Sequence, residues 1–123
     1  MTRKQALAEL IAKVEAGSNP SQAEWAEVFP DTPNDDDYPL SMMATQANVG
    51  WLDAAKALHE AVLPGFTFWQ ITRVNDNFSM VSVCDIPRSK GAWLEPSYRG
   101  ESPDQARAWL LAILCALHAM EAE

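Results

Sequence analysis

The chain has 123 residues, 48% of them hydrophobic, which is enough for one domain with a packed core and too apolar for disorder. Nine basic against seventeen acidic residues leave a formal net charge of -8, which repels nucleic-acid backbones and argues against direct DNA or RNA binding. Cys84 and Cys115 lack CxxC spacing, the opening MTRKQALAEL has no apolar signal core, and the longest apolar tract, 108–117, is about half of the roughly 20 residues a membrane span needs. A protein of the reducing cytoplasm is therefore expected, with free thiols and no membrane contact.

In chain order, the spacing first predicts a helix from Thr2 to Ala16. Thr2 and Gln5 make a capping box, Ala6, Leu7, Leu10, Ile11 and Val14 form one stripe, and Gly17 ends it. Ser21 and Glu24 repeat the box and open a shorter helix carrying Trp25, Val28 and Phe29 up to Pro30. Residues 31–39 then read as a loop, because Pro33, Asn34 and Pro39 break structure and three successive aspartates repel one another. Asp35, Asp36 and Asp37 lack the alternation, the glycine and the closing glutamate of an EF-hand, so they mark a solvated acidic loop and not a calcium site. After Pro39 the segment LSMMATQANVG allows one or two helical turns, with Met42 and Met43 against the core.

The stretch 51–74 is the expected organiser. Leu52, Ala55, Leu58, Val62 and Leu63 form a helical apolar stripe, Pro64 and Gly65 stop the helix, and a strand follows. Phe66 and Phe68 face one way and Trp69 and Ile71 the other, which asks for cover on both sheet faces. Asn75-Asp76-Asn77 tolerates turn geometry, so Phe78 to Asp85 should return antiparallel, with Phe78, Met80 and Cys84 opposite Val81 and Val83. Ala92 to Glu95 supply a third short strand before Pro96. The last helix is predicted to start with Ser102 at the N-cap, Pro103 at N1 and Gln105 at N3. Its wide stripe of Ala106, Trp109, Leu110, Ile113, Leu114, Leu117 and Met120, extended by Leu111 and Cys115, should carry more core energy than any other element.

The expected fold is thus α+β in one domain, 1–123. A helical N-terminal part, 1–49, carries the acidic loop, and 50–123 form a helix, hairpin, strand and helix. Its three-stranded antiparallel sheet is packed with helices on both faces, in an α/β/α sandwich-like arrangement.

Catalytic patterns are scarce. Neither His59 nor His118 has a second ligand at useful helical spacing, so both read as surface or boundary histidines and no metal is implied. Cys84 lies in no nucleophile motif, the five glycines make no phosphate-cradling loop, and hydrolase and kinase signatures are missing. A non-enzymatic protein without a cofactor is expected. One constellation stands out: Arg73, Arg88, Lys90, Arg99 and Arg107 gather in the second half with Trp69, Trp93 and Tyr98. Up to residue 60 there are ten acids and four bases, and beyond it seven and five, so this half is nearer neutral. Such a rim could stack a base and neutralise a phosphate, or form an interface hot spot. Alternatively the tryptophans are core and the cations only keep the surface soluble.

The run WLDAAKALHEAVLPGFTFW, followed by short strands and SPDQARAWLLAILCAL, resembles a group of small phage and prophage proteins of unknown function, similar to the phage ABA sandwich domain. Leu52, Asp53, Ala54, Ala55, Val62, Leu63, Pro64 and Gly65 match its first block, and Pro103, Ala106, Ala108, Leu110, Leu111 and Leu114 its second, over residues 50–118. Trp51 stands where serine is usual and Phe66 where tryptophan is usual, and the N-terminal extension is longer and more acidic. The resemblance supplies no catalytic residue. It implies an accessory protein acting in the cytoplasm of a bacterial host. The first expectation is an inhibitor of an anti-phage defence protein, docking the acids around Asp35, Asp36 and Asp37 on a basic surface. Sequestration of a small nucleotide by the arginine and aromatic rim, between protomers of a homodimer, is the alternative, and a structural or assembly role the third.

Overall fold

A computed structural model describes residues 2–29, 40–63, 68–75, 78–84 and 97–120. The elements are α1 (Arg3–Glu15), α2 (Gln22–Val28), α3 (Leu40–Asn48), α4 (Leu52–Val62), β1 (Phe68–Asn75), β2 (Phe78–Cys84), β3 (Ser97–Ser102) and α5 (Gln105–Met120). The class is the expected α+β: a three-stranded antiparallel sheet, order β1-β2-β3, with helices packed against it.

Both capping boxes form. Thr2 and Gln5 exchange bonds at 3.2 and 2.9 Å, and Ser21 and Glu24 at 3.3 and 3.2 Å, so each helix satisfies two of its otherwise unpaired N–H groups. Replacing Thr2 or Ser21 by Ala should lower stability by about 1 kcal/mol each, read from urea midpoints. Between the two helices Lys13 bonds Glu24 at 2.6 Å. That bond raises the lysine pKa and lowers that of the carboxyl, although the pair is solvent-exposed and screened.

The structural centre is α5 and not the 51–74 stretch. Ten of its sixteen residues are buried, on every side of the helix. One side meets β3 and β2, and the others meet α1, α3 and α4, so among the described residues the layers run sheet, α5, outer helices, on one face of the sheet and not on both as expected. Register shows which sheet face it covers. Ile71, Val81 and Gly100 are aligned across the three strands, as are Val83 with Tyr98 and Ser79 with Ser102. Val81 and Val83 are fully buried, and Gly100 rests directly on the α5 backbone at Ala108 and Ala112. The opposite face presents Thr72, Met80 and Ser82, half-buried, with Arg99 and Glu101 exposed.

Several expectations need correction. The α5 N-cap is Asp104, whose Oδ1 accepts the Arg107 N–H at 3.1 Å. Ser102 ends β3 instead, its Oγ accepting the Asp104 N–H at 3.3 Å; an aspartate nearer the helix competes better for the free N–H groups. The third strand is Ser97–Ser102, and the expected 92–95 lies outside the described residues. Leu52 is 38% exposed although it sits on the apolar spacing, because Ala54, Ala55, Leu58 and His59 turn the α4 face inward. His59 is therefore no surface residue but 3% exposed.

Arg107, counted above with the rim, is a clamp between helices. Its guanidinium donates to the carbonyls of Val14 (3.0 Å), Ser18 (2.9 Å) and Asn48 (3.5 Å), just where α1 and α3 end and their last carbonyls carry partial negative charge. Arg107→Met, which keeps the stem but removes the charge and donors, should cost about 2 kcal/mol in urea unfolding.

Candidate functional site

Among the described residues, three places draw attention. The first is the α4–α5 contact, where Trp109 Nε1–H donates to His59 Nδ1 at 3.3 Å with the rings edge to face, 5.7 Å between centroids. Nδ1 is the accepting ring nitrogen in this contact. Both residues are buried, so the His59 ring is part of the core. His118, near the end of α5, is half-buried, as a boundary residue should be.

The second place is an open groove of about 380 Å³ between the end of α1, β3 and α5, walled by Glu15, Phe78, Arg99, Glu101, Leu111 and Cys115. A neighbouring hollow of about 290 Å³ shares Glu15, Glu101, Ser102 and Pro103 and continues to Asp104 and Arg107. Arg99 stands 3.5 Å from Glu101, and the Arg107 guanidinium is turned onto backbone carbonyls. The acids Glu15, Glu101 and Asp104 make the groove a poor receptor for a phosphate. Burial first, and Glu15 second, push the Cys115 thiol above its ordinary value, so it stays protonated at neutral pH and is a weak nucleophile. A thiol held protonated in the fold ionises more readily once unfolded. Stability should therefore decline as pH rises past the ordinary thiol value of about 8.5, and Cys115→Ser should flatten that part of the stability–pH curve.

The third place was missed in the sequence. Val49 (59%), Trp51 (59%) and Leu52 (38%) are exposed together where α3 passes into α4. Backbone hydrogen bonds hold the corner on both sides. Gly50, at φ 107, closes α3 through its N–H to Ala47 O (3.1 Å) and the Trp51 N–H to Gln46 O (3.0 Å), while Trp51 O accepts from Ala54 and Ala55 at 3.2 Å. Trp51 thus occupies the N-cap of α4 and makes no side-chain capping bond. A tryptophan where Ser, Thr, Asp or Asn is favoured was the readable signal. Asp53 is exposed two residues on, and Asp104 Oδ2 lies 2.8 Å from where a Gly50 Cβ would stand.

The arginine and aromatic rim is not assembled among the described residues. Arg73 and Tyr98 lie on the α5 side of the sheet but at opposite ends, about 13 Å apart along the strands. Arg99 projects from the other face. Arg88, Lys90, Trp93 and the acids Asp35, Asp36 and Asp37 lie outside the described residues. Among those described, no group of three His, Cys, Asp or Glu side chains comes together to hold a metal ion, and no helix is long and apolar enough to cross a membrane. Comparison with known protein families, with curated proteins and with solved structures found no match.

Proposed function

We propose that this is a non-enzymatic binding protein of phage origin that acts in the bacterial cytoplasm by occupying a basic surface of a host protein, in first place a protein of anti-phage defence. The observation that carries the reading is the exposed apolar corner at Val49, Trp51 and Leu52 on a protein of net charge -8. An apolar patch rimmed by charge is the usual form of a protein-recognition surface, and an acidic rim selects a basic partner. The structural employment of His59 against Trp109 supports a role in binding over one in catalysis. The nucleotide alternative draws no support from the separated positions of Arg73, Tyr98 and Arg99.

The test is to recover the protein, under native conditions, from phage-infected cells expressing a tagged chain. A stoichiometric host protein that dissociates as salt rises from 0.1 to 0.5 M, together with improved phage plating on a defence-bearing strain, is the expected result. A released nucleotide without a protein partner would decide for the alternative.

A further inference from the structure

The Val49–Leu52 corner differs from a chance exposed apolar residue in two respects. Its backbone is held from both sides, by the α3 closure through Gln46 and Ala47 and by the first α4 turn through Ala54 and Ala55. The Trp51 backbone is therefore fixed before a partner arrives, which leaves only the two ring torsions to order, and tryptophan is among the side chains that most often carry an interface. The position also forgoes a capping bond that a smaller polar residue would make, so local helix stability does not account for the tryptophan.

We infer that Trp51, flanked by Val49 and Leu52, is the docking anchor of the protein and enters an apolar pocket with a basic rim on its partner. The inference rests on the binding reading above and adds to it the residue and the pocket chemistry. Charge decides between possible occupants. Asp53 and Asp104 flank the corner, Lys56 stands a turn further along α4, and the Arg107 guanidinium is spent on the carbonyls of Val14, Ser18 and Asn48. A second copy would bring the same two acids, and another net charge of -8, against this acidic edge. Lysine or arginine around an apolar pocket would instead pair with both acids while the ring is buried.

The experiment replaces Trp51 by the photo-crosslinking residue p-benzoylphenylalanine in the full chain, with Ala8 and Ala61, exposed on α1 and α4, as control positions. The three proteins are irradiated in infected cells and their adducts mapped by mass spectrometry. The expected result is an adduct from position 51 only, to one host protein, at an apolar segment flanked by lysine or arginine. Trp51→Ser should then weaken binding to that purified host protein at least thirtyfold, and raised salt should weaken the wild-type complex. The Tm of Trp51→Ser should stay level or rise, since serine can cap α4; a fall in Tm would assign the residue a structural role and overturn the anchor.

Adducts from Ala8 or Ala61 without one from position 51 overturn the anchor and leave the binding reading standing. An adduct to a second copy, or a salt-insensitive complex, overturns the basic-pocket chemistry. Absence of adducts from all three positions, with no partner recovered from infected cells, overturns both.

Discussion

Gly100→Ala should destabilise the protein by about 3 kcal/mol or more and lower Tm by about 10 °C or more, measured by urea titration and thermal melting. A Cβ at this position would fall inside the van der Waals shell of the Ala108 carbonyl oxygen, and would lie 2.6 Å from Ala112 N and 2.7 Å from Leu111 Cβ. Two of these three are α5 backbone atoms, which no rotamer change can move. The strand must therefore lift from the helix, and Val81 and Val83, fully buried beside it, would lose contact. Most added methylenes in a core can be absorbed by side-chain shifts; here the helix backbone leaves no such route.

Trp109→Ala is the second large effect, about 3 to 5 kcal/mol, a substantial part of the 5 to 15 kcal/mol that holds an ordinary domain together. Trp109 is 1% exposed and joins α5 to α4, so its removal opens a cavity and also leaves His59 Nδ1 without its indole donor. Trp109→Phe separates the two contributions: it keeps most of the packing and should cost about 1 to 2 kcal/mol for the lost hydrogen bond. Comparing Trp109→Phe and His59→Ala with the double variant should give a coupling energy well above zero, and additivity would refute the hydrogen bond as a stabilising contact.

Local patterns were legible wherever neighbouring residues settle the outcome. The two capping boxes, the Gly17 stop and the hairpin strands follow from short-range spacing and turn chemistry, and the core weight of α5 from the number of its apolar residues. The stretch 51–74 reads as the organiser because α4 has the clearest amphipathic pattern, whereas the structural centre is α5. A helix buried on all sides, such as α5, has little pattern to show. The candidate sites fared less well for the same reason. Arg107 looked like a surface cation, and only the convergence of the α1 and α3 C-termini on it reveals a clamp.

The sequence by itself determined the α+β class, the helix starts at Thr2 and Ser21, and the acidic excess, because these depend on propensity, capping and charge within a few residues. Tertiary structure alone decided that His59 is buried against Trp109, that Gly100 rests on the α5 backbone, and that Leu52 joins Trp51 in solvent. Each of these depends on which face an element turns to a neighbour distant in sequence, and that choice is made by packing the whole core at once.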